Sequence, residues 1–422
     1  MERKVYAHKE ERKDGKSFFK KTKPFGENKK FKRKDDFKHK DGISYGKKEA
    51  PRLKSFSNHA VRRIENNKVC IIAAFHSPTF SGRVGSELLR SCKETELKVS
   101  ASDRNTYLTQ NGFTYGEDIE NILTLPEFEE NKIWVAAIND IPEKIYGKNN
   151  YIVTTFNAVN PDSKQLIKLK QAKRVWVPSE KHVNACIKAG INKLNLKVFD
   201  IPVVESFNKM AVRPAELAKK KDVFRFLVCG SPTYKNGIED VLKAYITEFK
   251  PKEKVELVIK LTHFPNLKKN LSFEIAELKK RLGALNDMFA KVTIVSHTLS
   301  DEEFAGLIAS ADAYVTAEKV SDSTLGIKEA MACNVAVIAS KWLTDATKVN
   351  SEGIYPVEYE DEVIESGKLF ANSSKQKVRK INCEKLAVVM RKAFNEKKRC
   401  ETTWNTNCLK LATEIKEAIK SR

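Results

Sequence analysis

The sequence predicts an α/β protein of two doubly wound parallel sheets, preceded by a basic tail. Three observations carry this. Short continuous apolar runs alternate with amphipathic stretches, as in buried parallel strands joined by crossover helices. The alternation comes in two series, one opening at Lys68 and the other at Phe224, so each series predicts a sheet of its own. The charge is segregated: residues 1–63 hold 22 Lys/Arg against 9 Asp/Glu, more than half of the net +22 carried by all 422 residues.

Residues 1–64 mix Lys, Gly, Asp and Phe without a period and are expected to be disordered. The segment FKKTKPFGENKKFKRKDDFKHK interleaves Phe with Lys and Arg. That composition suits phosphate contact plus base stacking, so DNA or RNA is the partner expected for residues 1–63. A solubilising tail and a motif for a partner protein are the alternatives. The opening MERKVYAHKEERKDGK has no apolar core, and a secretory signal is not expected. No apolar run approaches the ~18 residues of a membrane-spanning helix. The eight cysteines are scattered, without C-x-x-C spacing. Buried free thiols and a cytoplasmic location are expected.

In the first series KVCIIAAF reads as a buried strand, and HSPTFSGRVGSELLRSC as a glycine-containing turn that opens a helix. Further strands are expected at 133–138 (IWVAAI), 151–156 (YIVTTF), 174–179 (RVWVPS) and in LKVFDIPVV. DSKQLIKLKQA is expected to be helical. SEKHVNACIKAGI predicts a helix with Ser179 as N-cap and Gly190 as the glycine past its end. Residues 206–221 read as a connector.

In the second series FRFLVCG, VELVIKLTH, KVTIVS, AYVTA and VAVIAS read as strands. The helices expected between them are GIEDVLKAYITEF, FEIAELKKRLGAL, SDEEFAGLIASA capped at Ser300, and TLGIKEAMAC. Residues 383–422 read as two helices.

Three stretches together resemble the retaining glycosyltransferases of family four. One is LSDEEFAGLIASADAYVTAEKVSDSTLGIKEAMACNVAVIAS at 299–340, with EAMAC at Glu329–Cys333. The second is VWVPSEKHVNACIKAGI, where a Pro-Ser pair ends a strand and starts a helix. The third is GSPTYKNGIEDVLKAY at 230–245. EAMA alone is a weak motif; the three in this order on two βα series are strong. The resemblance covers about residues 68–420. It implies the GT-B architecture: two Rossmann-like domains with a cleft between them. The expected organisation is the tail over 1–64, an N-terminal acceptor domain over 65–205, a C-terminal donor domain over 206–382, and helices over 383–422 packing back across the domains.

The resemblance also implies site roles. Lys235 and Lys260, at the C-terminal edge of the second sheet, would contact a donor diphosphate, where cations and helix N-termini are needed. Glu329 would hold the nucleotide ribose through its two hydroxyls. Ser323, Thr324, Leu325 and Gly326 would offer backbone N–H groups to the phosphate and sugar. In the first domain Gly82, Arg83 and Gly85 resemble a glycine loop that admits substrate or phosphate. His76 after the first strand, and Asp140 in Asn139–Asp140 after IWVAAI, are candidate catalytic cleft residues.

The chain departs from the family's pattern at Ser321, where a second glutamate is usual, and Asp322 or Glu318 is the candidate substitute. Asn334 stands where glycine is usual, a mild change because Asn tolerates left-handed φ. No D-x-D occurs, so the only ligand expected is a nucleotide-sugar donor, with no metal. The expected reaction is retaining sugar transfer to an acceptor hydroxyl, with a modified nucleic-acid base as acceptor. Alternatives are a surface or lipid-linked glycan acceptor, with the tail on an anionic membrane, and a non-catalytic nucleic-acid-binding protein on a decayed transferase scaffold.

Overall fold

The computed structural model describes residues 67–421, apart from 105–112, 158–160, 211, 216–221, 232, 263–275, 278–279, 281–287, 321–322, 366–375, 403 and 405–406. The basic tail, most of the helix expected in FEIAELKKRLGAL, and Ser321 and Asp322 lie outside the described residues.

The first sheet contains β1 (Lys68–Ala73), β2 (Lys98–Asp103), β3 (Asn131–Ala137), β4 (Asn149–Thr155), β5 (Arg174–Val177) and β6 (Leu196–Val198). Their order is β2-β1-β3-β4-β5-β6, and every pair is parallel. The apolar runs become the buried strands, as in β1, where Val69, Cys70 and Ile71 are all fully buried. The edge strand β2 reads KVSASD and has no apolar run to announce it; pairing with β1 holds it in place.

Its helices are α1 (Phe80–Glu94), α2 (Glu117–Leu123), α3 (Ser163–Leu166) and α4 (Glu180–Lys188). α4 follows Ser179 and ends before Gly190, whose φ of 81° makes it the left-handed residue past the helix. DSKQLIKLKQA forms only one turn of α3 followed by a 3-10 helix over Ile167–Gln171. Burying Leu166 and Leu169 holds this short segment against the sheet.

The second sheet contains β7 (Phe224–Gly230), β8 (Val255–Leu261), β9 (Lys291–Val295), β10 (Ala313–Thr316), β11 (Ala336–Ser340) and β12 (Ile354–Val357). All pairs are again parallel, in the order β12-β11-β10-β7-β8-β9. Its helices include α5 (Ile238–Glu248), α6 (Asp301–Ala309), α7 (Leu325–Ala332) and α8 (Lys341–Thr347). Ser300 closes a full capping box with Glu303 at the start of α6. Asn334 has φ 61°, so the residue in the glycine position adopts the conformation that glycine serves.

Further features were not foreseen. β12 completes the edge of the second sheet. β13 (Tyr359–Ile364) and β14 (Gln376–Ile381) form a separate antiparallel ribbon. Its Ile364 and Val378 pack with Val320 and Tyr234, bracing the loops after β7 and β10. The last two helices part company. α9 (Cys383–Glu396) packs on α5, whereas α10 (Leu409–Lys420) packs on α1 and joins the first sheet's core through Leu411, Ala412, Ile415 and Ile419. All eight cysteines are free thiols, six of them buried.

Candidate functional site

In the second sheet the chain runs from β7 to β8 on one side and later returns to β10 on the other. In open α/β sheets such a reversal leaves a crevice at the strands' C-terminal ends, where ligands bind. A cavity of about 260 Å³ lies there. Cys229 and Gly230 end β7 in it, and Lys260, Leu261 and Thr262 come from the end of β8. Tyr314 and Glu318 come from β10 and beyond, Asn236 from the loop before α5, and Leu299 and Phe304 from around α6. Leu325, Gly326 and Glu329 bring the first two turns of α7, while Pro78 and Arg83 close the cavity from the first sheet's side.

Glycines set this geometry. Gly237 has φ 65°, and a Cβ there would stand 2.2 Å from the Ala317 carbonyl oxygen, so only glycine lets α5 start against the end of β10. Gly82 and Gly85 lie inside α1, not in a loop ahead of it. A Cβ on Gly82 would meet the Ser77 carbonyl oxygen at 2.2 Å, and one on Gly85 would meet the Ala73 side chain at 2.5 Å. Their observed role is to let α1 pack against β1 and the turn after it. That close packing carries Arg83 into the cavity.

Glu329 is 1% exposed and ion-pairs with the Arg83 guanidinium. Arg83 also reaches Asp301 at 3.3 Å. Burial pushes the Glu329 and Asp301 carboxyls up, against the opposing pull of Arg83. Lys260 is nearly buried, and its ammonium donates to the carbonyls of Leu261 at 2.8 Å and His297 at 2.9 Å. Burial holds its pKa below the usual lysine value. An ammonium has three donors, so one remains beyond these two contacts.

Among the expected site residues, the structure brings Lys260, Leu325, Gly326, Glu329 and Arg83 to the cavity. Ser323 and Thr324 lie just ahead of α7, with Thr324 as its N-cap. Lys235 is in the loop before α5, where its carbonyl accepts from the Lys319 N–H at 2.9 Å, but its neighbour Asn236 is the lining residue. His76 and Asp140 are not among the lining residues. His76 sits past β1 with Nδ1 2.9 Å from Asp103 and Nε2 3.3 Å from Glu120. Asp140 closes a 3-10 turn after β3, and its carbonyl accepts from Arg104 at 2.8 Å. Sequence reasoning missed Asp301, which is hidden because it also reads as an ordinary first-turn helix carboxylate. It missed Tyr314 and Phe304 because they read as core aromatics.

This arrangement, two doubly wound sheets with a crevice at the strand ends, is the GT-B architecture. No protein-family model matches the chain, and no curated protein matches it. Solved structures do. HepE of Anabaena, in complex with UDP and glucose, is similar with a TM-score of 0.53 at 12% identity, over 84% of this chain and 99% of that one. Sucrose-phosphate synthase of Thermosynechococcus elongatus has a TM-score of 0.53 at 15% identity, over 84% and 94%. WaaG, a glycosyltransferase involved in lipopolysaccharide biosynthesis, has a TM-score of 0.51 at 11% identity, over 84% and 95%.

Proposed function

We propose that the chain is a nucleotide-sugar-dependent glycosyltransferase whose donor sits in the cavity at the β7–β10 reversal. The observation that carries this reading is the seating of Glu329 on the first turns of α7, in one cavity with Lys260. The fold shared with HepE, which binds UDP and glucose, supports it. Backbone N–H groups at the start of α7, next to Ser323 and Thr324, meet the diphosphate. Lys260 and Lys235 add positive charge, and Glu329 accepts from the ribose hydroxyls.

Transfer in this reading is retaining. The bond from the anomeric carbon to the diphosphate breaks while the acceptor oxygen bonds to the same carbon on the same face. The acceptor proton passes to the departing phosphate oxygen, and no protein nucleophile is needed. Stabilising the leaving diphosphate is the chain's main electrostatic task, done by lysines and helix N–H groups without a metal. The acceptor hydroxyl belongs to a modified nucleic-acid base, a reading motivated by the charge of residues 1–63.

A metal-free thermal-shift and hydrolysis panel of UDP-, GDP-, ADP- and TDP-sugars tests the donor site, because a ligand of the native state raises Tm by mass action. One donor should shift Tm, and Glu329→Ala should abolish the shift. Donor turnover unaffected by Glu329→Ala would end this assignment of the site. For the acceptor, salt-dependent DNA and RNA binding is compared between the full chain and one starting at Lys68. Equal weak binding by both would remove nucleic acid from the proposal.

A further inference from the structure

We infer that Arg83 is a diphosphate ligand supplied by the first domain, held on Glu329 until a nucleotide enters and then exchanged onto the phosphates. The inference rests on reading the cavity as the donor site. Arg83 stands on α1, beside the first sheet, yet its guanidinium pairs with Glu329 of α7 and with Asp301 of α6. One buried cation therefore faces two buried carboxylates, and the same Glu329 is the group proposed to take the ribose.

Both partners have capacity left. The Arg83 Nε–H and the Asp301 Oδ2 are buried with no hydrogen-bond partner among the described residues. Leaving a buried donor unmatched is costly, so Arg83 gains from a ligand that accepts from it. The rings of Phe207 and Phe304 lie 5.2 and 5.1 Å from the guanidinium carbon. They retain the cation while its N–H edge changes partner.

A nucleoside diphosphate fits the open Arg83 donor. Its ribose hydroxyls donate to Glu329, replacing the guanidinium there. Its phosphate oxygens accept from Arg83, so the cation exchanges one anion for another and is never left bare. The exchange requires the phosphates, which separates a diphosphate from its nucleoside. Because Arg83 and Glu329 belong to opposite sides of the cavity, it also ties nucleotide binding to the contact between them.

Calorimetry on the full chain tests this with UDP, GDP and ADP and their nucleosides. The variants are Arg83→Gln and the double variant Arg83→Gln with Asp301→Asn, which removes a carboxylate that the first change would strand. Losing a buried charged contact predicts about a 30-fold or greater loss of diphosphate affinity, with nucleoside affinity equal to or tighter than wild type. Either variant showing this split supports the exchange. Diphosphate binding equal to or tighter than wild type in both variants would mean that Arg83 is only a latch, and overturns the inference while leaving the donor site standing. A wild-type chain that binds none of the six probes would overturn the donor-site reading and the exchange together.

Discussion

The indole N–H of Trp176 in β5 donates to the Glu414 carboxylate of α10 at 2.9 Å, across 238 residues of chain. The bond marks where the end of the chain returns to the first sheet. Leu411, Ala412, Ile415 and Ile419 sink into that core beside it. The first sheet is thus closed by residues that follow the second.

Removing α10 should therefore unfold the first sheet while the second retains its own core. Three large aliphatic side chains at roughly 1.5–3 kcal/mol each amount to a large share of a domain's stability of about 5–15 kcal/mol. A chain ending at residue 408 is expected to show protease-sensitive first-sheet residues and protected second-sheet residues. Uniform protection would contradict this. Trp176→Phe, which removes the hydrogen-bond donor and part of a fully buried ring, should cost about 1–3 kcal/mol or more.

Gly82→Ala should be severely destabilising, because its Cβ would stand 2.2 Å and 2.6 Å from two backbone carbonyl oxygens. Overpacking of this kind costs about 1–3 kcal/mol or more. Chemical denaturation would read the loss. A stable Gly82→Ala variant with weakened substrate binding would instead favour the loop role that the sequence suggests.

Lys260→Met should weaken donor binding and also reduce stability, since two backbone carbonyls lose their donor. Each orphaned group costs about 1–3 kcal/mol, offset in part by no longer burying a charge. The depressed pKa of Lys260 adds a pH signature: its positive charge, and the donor affinity that depends on it, should fade with rising pH before an ordinary lysine would titrate. Donor affinity flat from neutral pH up to about pH 10 would count against a diphosphate role for Lys260.

His76 offers a stability test away from the cavity. Burial lowers its pKa, but the hydrogen bond and charge of Asp103, with the charge of Glu120, outweigh this and raise it above 6.5. The folded protein therefore holds this proton more tightly than the unfolded chain. The stabilisation is complete below pH 6.5 and is lost as pH rises through the folded value. The Tm gap between wild type and His76→Gln should be widest in mild acid and narrow on the alkaline side. A gap constant across roughly pH 5.5 to 8.5 would show that the ion pairs contribute nothing.

The sequence by itself determined the two βα series, the Ser300 cap, the glycine past α4 and the left-handed Asn334. These are signals of periodicity and backbone conformation that act within a few residues. The family resemblance, carried by sequence motifs, also pointed to Lys260 and Glu329, at a strand end and a helix start. The sequence did not reveal β2, whose Ser-rich segment becomes a strand only by pairing with β1. Nor did it reveal that Gly82 and Gly85 serve helix packing, that His76 pairs with Asp103 and Glu120, or that Asp140 lies away from the cavity lining. Tertiary structure alone decided that Arg83 meets Glu329, 246 residues away. Such a contact depends on how two separately folded sheets pack, and no local pattern in the chain encodes that distance.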